Sequence, residues 1–367
     1  MLRNIKGIEK VDSPALIVFP EIVARNIAEM VRMVGDVDRL RPHIKTHKTS
    51  EGIKMMQAAG INKFKCATIA EAELLGMNQA EDVILAHQPV GPKIERLYQL
   101  MMQYPDTKFS TITDNIDASK KIGELFHAFG CTVGIYIDIN VGMNRTGIGP
   151  ENGVVELHES ILNTHGLRFE GLHVYDGQHR QSDPSEKEVA CNAAFQPVYR
   201  LIETLQQMGY PKPTVVAGGS PSFSIHATKT DRDCSPGTNI FWDHGYKTIC
   251  PEQSFEPALY ILTRVISLPS ANKICVDLGH KAVAAENDIS KRVVFPSYPH
   301  LKAVSQSEEH LVLEIGTNDK FQVGDLLTGI PYHVCPTVAL HEFLTEVKNN
   351  EVTGEWHVAA RRRKINC

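Results

Sequence analysis

From about residue 13 to residue 250 the sequence alternates short β-branched runs with longer stretches of helical periodicity, and this alternation limits the fold more than any other feature. Residues 11–19 read as a strand leading into a helix over 21–34, and residues 64–68 lead into a helix over 69–77. Further strand-like runs fall at 83–86, 109–112, 132–139, 171–175 and 214–217, with helical stretches at 93–104, 116–129, 153–163 and 185–208 between them. Repeated βα units of this number and length favour a closed (β/α)8 TIM barrel, which typically takes ~250 residues. The alternative is an open doubly wound sheet, but no GxGxxG follows the first strand.

Beyond Pro251 the pattern changes. Short strand candidates at 258–268, 273–276, 293–295, 310–315, 326–330 and 356–360 leave little room for helices. The expectation is a barrel over 13–250 and a C-terminal β domain over 251–367, which residues 1–12 are able to join. No repeat or low-complexity linker separates them, so a shared interface is expected, and clefts between domains favour small-molecule sites.

With 38 Lys+Arg against 43 Asp+Glu the formal charge is −5, which offers no basic face for a polyanionic backbone, so no nucleic-acid partner is expected. The charged N-terminal decapeptide lacks the apolar stretch of a signal peptide, and no run approaches the ~18 apolar residues that span a bilayer. A cytoplasmic protein without membrane association is expected. Eight scattered cysteines without a CxxC fit a reducing compartment.

Four constellations carry chemistry. In Arg41-Pro-His-Ile-Lys-Thr-His-Lys48, Pro42 biases Arg41 away from helix and Ile44 and Thr46 are strand formers, so Lys45 projects either from the end of an early barrel strand or from a solvated basic turn. A lysine in a barrel mouth has an amine available to condense with a carbonyl. Ala217-Gly-Gly-Ser-Pro-Ser222 follows a late strand; its backbone N–H groups and the Ser220 hydroxyl could wrap a phosphate, or it is a plain turn, and Ser235-Pro-Gly-Thr-Asn239 either joins it or merely connects elements. Arg145, in the Asp138 to Gly147 segment at a strand exit, faces an anionic or heteroaromatic ligand or pairs with Asp138. Tyr175 and His179 follow the next strand, and His suits acid–base work near neutrality. Finally, His333 and Cys335, two apart on a segment read as extended, point to one side and could share a borderline ion such as zinc; the plain reading is a buried cysteine beside an ordinary histidine.

Taken in order, these motifs resemble the D-threonine aldolase and D-serine dehydratase family, pyridoxal phosphate enzymes on an alanine-racemase-like barrel with a β domain. The resemblance runs over nearly the whole chain, through Asp12-Ser-Pro-Ala15, Pro42 to Lys48, Ala67-Thr-Ile-Ala-Glu-Ala-Glu73, Asp138 to Gly147, Gly218-Gly-Ser-Pro221, Pro236-Gly-Thr238, Asp277-Leu-Gly-His-Lys-Ala282 and His333-Val-Cys-Pro-Thr337. It implies that Lys45 forms the internal Schiff base, that Arg145 faces the pyridine nitrogen, and that Gly218, Gly219 and Ser220 cradle the phosphate. It places Tyr175 and His179 near cofactor and substrate, His179 as a candidate base. It makes His333 and Cys335 the ligands of a divalent metal, zinc or else manganese or magnesium.

An arginine opposite the pyridine nitrogen weakens the cofactor as an electron sink, so metal assistance at the substrate's β-hydroxyl is expected. The implied activity is a lyase on a small D-configured β-hydroxy amino acid. It is either an aldolase giving glycine and an aldehyde, placed first, or a D-serine or 3-hydroxy-D-aspartate dehydratase giving a keto acid and ammonia. Many aldolases of the family resemble His-x-Asp at the metal pair, whereas this chain has His-Val-Cys, as the dehydratase side does. More remote are a racemase, a non-catalytic pyridoxal phosphate carrier and a metal-only barrel hydrolase using His43 and His47. A homodimer is implied by the resemblance.

Overall fold

The computed structural model describes residues 5–366. In chain order its elements are β1 (Ala15–Val18), α1 (Pro20–Val34), α2 (Ser50–Ala58), β2 (Lys63–Cys66), α3 (Ile69–Met77), β3 (Asp82–Leu85), α4 (Pro92–Gln103), β4 (Lys108–Thr113), α5 (Ile116–Ala128), β5 (Val133–Ile139), α6 (Val154–Leu162), β6 (Leu167–Val174), α7 (Pro184–Gln207), β7 (Thr214–Ala217), α8 (Phe223–Ala227), β8 (Asp233–Cys234) and α9 (His244–Ile249). The C-terminal part contributes β9 (Leu259–Ser270), β10 (Lys273–Val276), β11 (Val293–Val294), β12 (Lys302–Gln306), β13 (Leu311–Glu314), β14 (Leu326–Pro331), α10 (Val334–Leu340), β15 (Phe343–Lys348) and β16 (Glu351–His357).

Strands β2 to β8 form a parallel sheet in sequence order. The central strand β5, Val-Gly-Ile-Tyr-Ile-Asp-Ile, is buried at all seven positions, as a parallel strand covered on both faces must be. The ring is closed by the short segment around Leu40 and His43. Leu40 bridges Cys234 and His43 bridges Lys65, both in parallel, and Arg41 N donates to the Cys234 carbonyl at 2.9 Å while Lys65 N donates to that of Pro42 at 2.9 Å. This segment is the barrel's first strand. Its Arg41 is 1% exposed and reaches Asp82 at 2.7 Å and Asp233 at 3.5 Å, tying it to the strands β3 and β8.

Helix α1 shows why the sequence is helical here. Val23, Ile27, Met30 and Val34 recur on one buried face, Pro20 opens the first turn where its missing N–H costs nothing, and Gly35 ends the helix at φ 78°. Threonines 49 and 68 cap α2 and α3 by accepting from Gly52 N and Glu71 N.

One expectation is corrected. The strand read at 11–19 does not open the barrel: β1 lies in the second sheet, antiparallel to β9 and parallel to β15. That sheet runs β12-β13-β10-β9-β1-β15-β16, with β14 also on β9 and β11 on β14. A β-branched run leading into an amphipathic helix looks the same whichever sheet the strand joins, because only its long-range partners differ. The barrel domain therefore starts near Pro20, and the chain enters and leaves it side by side, with Phe19 N donating to the Ala258 carbonyl at 2.9 Å. Strands β12 and β15 were not anticipated. Buried side chains from both parts, from Leu16 to Ala360, form one contiguous apolar cluster. Phe241 and Trp242, both fully buried, contribute to it, with the Phe241 ring 6.3 Å from Trp356 of β16.

Candidate active site

Lys45 leaves the closing strand in a turn over 44–47, at the C-terminal end of the barrel where loops build sites. The turn is fixed from within. His43 Nδ1 accepts from Lys45 N at 3.2 Å, and His47 Nδ1 accepts from Thr49 N at 3.2 Å. Burial and surrounding lysines hold His43 well below the usual histidine range, and burial takes His47 down to about 3. Both are therefore neutral, and in each ring Nδ1 accepts the backbone N–H that shapes the turn, so neither offers Nδ1 as a metal ligand.

Three cationic side chains surround Tyr175, which follows β6. Lys45 Nζ and Lys65 Nζ each lie 5.8 Å from its ring centroid, and Arg145 Cζ lies 4.9 Å from it. Arg145 does not pair with Asp138; that carboxylate is 2.7 Å from His173 Nδ1. The two glycine turns meet. Ser220 Oγ accepts from Gly237 N at 3.2 Å and from Thr238 N at 2.9 Å, and Ser222 Oγ accepts from Gly219 N at 3.3 Å. Gly218 has φ 75°, and a Cβ at Gly219 would lie 2.8 Å from the Tyr175 ring, so this approach of loop to ring requires glycine.

Asp176, 1% exposed, braces the loop from behind, accepting from Ser222 Oγ at 2.5 Å and pairing with His226 Nε2 at 2.7 Å. His179 lies in this layer. One ligand atom each of Asp176, His179 and Cys191 falls within 4.8 Å of the others, and among the described residues no hydrogen bond joins His179 to Lys45, His333 or Cys335. The cluster has donor types that suit a metal, but both Asp176 oxygens already have close partners, so it reads as a hydrogen-bonded brace.

Cys335, expected with His333 as a metal ligand, stands against the lysine turn. Cys335 Sγ is 3.1 Å from Thr46 Oγ1 and 3.4 Å from Thr238 Oγ1, which joins the β domain to the lysine loop and to the second glycine turn. The extended segment expected here is corrected. His333 is the N-cap of α10 and Cys335 lies in its first turn, so a helix start, not strand alternation, brings them together. Burial pushes the Cys335 thiol up, but His333 and the charge of Lys45 outweigh it and hold the thiol below its usual value. Burial likewise opposes protonation of His333, yet Cys335 and Glu286 raise it to about 9. His333 Nδ1 is 2.5 Å from Glu286 Oε1, the carboxylate–histidine arrangement that orients metal ligands. Asp243, pushed up to about 6 by burial, accepts from Val334 N at 3.0 Å and anchors α10 to the barrel. A cavity of about 360 Å³ opens beside the pair, lined among others by Arg180, Tyr246, Lys291 and His333.

The cations around Tyr175, the two glycine turns meeting at Ser220 and the lysine beside them fit pyridoxal phosphate, and a cysteine with a carboxylate-backed imidazole fits a borderline divalent ion. Comparison with known proteins agrees. The alanine racemase N-terminal domain matches residues 20–243, and a serine dehydratase domain matches residues 258–347. The chain belongs to this family. A solved D-threonine aldolase from Filomicrobium marinum is 30% identical, covers 96% of each chain and superposes with a TM-score of 0.89. Among curated relatives, a 3-hydroxy-D-aspartate aldolase from Paracoccus denitrificans (strain Pd 1222) is 28% identical over 96% of this chain and 92% of its own. A D-threo-3-hydroxyaspartate dehydratase from Delftia sp. (strain HT23) is 25% identical over 89% and 92%. The alanine-racemase-like family is thus made of pyridoxal-phosphate-dependent lyases on this side, spanning aldolases and dehydratases, and this chain is one of its lyases. Among the described residues no helix is long and apolar enough to cross a membrane.

Several functional candidates escaped the sequence reading. Lys65, His173, Asp243 and Glu286 sit in no local motif and gain meaning only from partners far along the chain. Lys65 carried no signal either, since the alternation Lys-Phe-Lys-Cys reads as lysines facing out, whereas the structure buries Lys65.

Proposed function

We propose that the protein is a D-threonine-aldolase-like lyase that cleaves small D-configured β-hydroxy amino acids to glycine and an aldehyde, with a divalent ion at His333 and Cys335. The contact of Cys335 with Thr46, one residue from Lys45, carries this reading, because it sets His333 and Cys335 beside the amine that would hold the cofactor. Pyridoxal phosphate bound at Lys45 supplies an electron sink for the bond cleaved at the substrate's Cα. Ser220, whose hydroxyl accepts from Gly237 N and Thr238 N and keeps its own proton to donate, would hold the phosphate, Gly218 and Gly219 would let it approach the backbone closely, and Tyr175 and Arg145 would flank the cofactor. An ion held by His333 and Cys335 would favour ionisation of the β-hydroxyl. Arg180 and Lys291 in the adjoining cavity attract the anionic end of an amino acid.

Cysteine rather than aspartate at position 335 favours a second reading, in which the ion assists departure of hydroxide and the enzyme is a dehydratase. One experiment separates them. D-Threonine, D-serine and 3-hydroxyaspartate isomers are supplied with and without chelator, and glycine plus aldehyde is assayed against keto acid plus ammonia. Glycine from D-threonine, lost on chelation, is expected; ammonia without glycine reverses the assignment, and a rate indifferent to chelation removes the metal from the scheme. The resemblance also supports a homodimer, which light scattering tests.

A further inference from the structure

Strand β2 delivers one side chain that the proposed reaction does not use. Lys65 is 3% exposed and points into the barrel, where its Nζ is 3.3 Å from His173 Nε2, while His173 Nδ1 is 2.7 Å from Asp138 Oδ1. The three side chains form a buried chain from β5 across β6 to β2. Its Nζ and that of Lys45 are equidistant from the Tyr175 ring centroid at 5.8 Å, so the two amines are no more than 11.6 Å apart. An interior lysine carries a high desolvation penalty compared with an apolar residue of the same length, which makes a mere space-filling role a poor account of it.

The groups facing Lys65 pull in both directions. Burial acts first, and the charges of Lys45 and Arg41 act with it, while Asp138 and Asp176 oppose them; the outcome takes Lys65 down to about 7. His43 and His173, which also face it, are themselves held below the usual histidine range. The amine therefore changes charge near neutrality, within reach of the ring that Lys45 would carry.

We propose that Lys65, positioned by Asp138 and His173, is a second amine of the cofactor pocket whose charge sets the protonation of the imine at Lys45. This rests on the pyridoxal phosphate reading of Lys45. The sign follows from Coulomb's law. A Lys65 ammonium disfavours a second positive charge at the imine, so it lowers the pH at which the imine gives up its proton, by about one unit for two charges ~12 Å apart at an effective dielectric of ~20.

The test is a pH titration of the visible absorbance band of the holoenzyme, independent of turnover. Lys65→Met is expected to raise the midpoint and Lys65→Arg, permanently charged, to lower it below wild type, the two variants standing about one unit apart with wild type between them. A Lys65→Met midpoint equal to that of wild type overturns the proposal, since a lysine of purely structural role leaves the band's titration unmoved. If Lys65→Met does not fold, Lys65→Arg decides: a lowered midpoint supports the proposal and an unchanged curve overturns it. A wild-type protein that forms no visible band with added pyridoxal phosphate overturns the reading of Lys45 and this inference together, whereas a normal band with unmoved midpoints overturns this inference alone.

Discussion

Asp176 shows how one buried carboxylate can hold a binding loop in place. Burial alone would raise it, but His226 and Ser222 win and hold it below the usual carboxylate range. A carboxylate whose folded pKa is depressed adds stability that is fully present above its unfolded value of ~3.9 and is lost as the pH falls through the folded value. Asp176→Asn should therefore lower stability at pH 7 by about 3 kcal/mol, and the gap to wild type should close below about pH 4. Urea unfolding midpoints at the two pH values check this. The same variant should weaken phosphate-loop binding of the cofactor, because Ser222, which accepts from Gly219 N, loses its own acceptor. At this scale the legible residues were those with local grammar. Lys45, Arg145, Tyr175 and the glycines stand at strand ends in recognisable strings, and the structure collects Lys45, Arg145 and Tyr175 at one ring. His179 was legible as a histidine in the right loop, but the direction of its side chain depends on Asp176 and on Cys191 in α7, which no local string encodes.

Between β6 and β7 the backbone tolerates no side chain at Gly171. The residue sits at a register shift between β5 and β6, at φ 156°, and a Cβ there would overlap the Thr214 carbonyl oxygen of the neighbouring strand. Gly171→Ala should separate β6 from the N-terminal end of β7 and cost about 3 kcal/mol, measured as a lower denaturation midpoint. A substitution at the exposed Gly91, where nothing lies within 4 Å, is the control for glycine removal in general, although its φ of 56° adds local strain. Helix α3 illustrates the opposite case, in which the sequence is nearly sufficient. Thr68 accepts from Glu71 N, Glu71 accepts from Ala67 N and pairs with Lys48, and the helix read from the sequence at 69–77 is the helix found. Helix α10 was missed because its cap is unconventional. His333 contributes no side-chain cap, and Asp243, 90 positions earlier, supplies the acceptor for Val334 N.

For the whole molecule, β1 is the element that couples the ends. It bridges β9 and β15, so the second sheet cannot close without residues near the N-terminus. Removing residues 1–19 should expose long edges of β9 and β15, and the truncated chain should aggregate or lose protease resistance across 259–357, which limited proteolysis with mass spectrometry reads directly. The (β/α)8 class and the position of the second domain were legible because helical and strand periods differ. The membership of β1 was not, since pairing across 240 residues leaves no periodic trace.

The same threading has a consequence for synthesis. β1 is made first, yet its antiparallel partner β9 begins at Leu259, so a ribosome adding ~5–20 residues per second leaves β1 without that partner for on the order of ten to fifty seconds. The barrel must assemble within a chain whose first strand is still waiting, and the contact of Cys335 with Thr46 beside Lys45 forms only after α10 has emerged. Activity is thereby a report on completeness: a chain stopped anywhere before α10 carries Lys45 without His333 and Cys335.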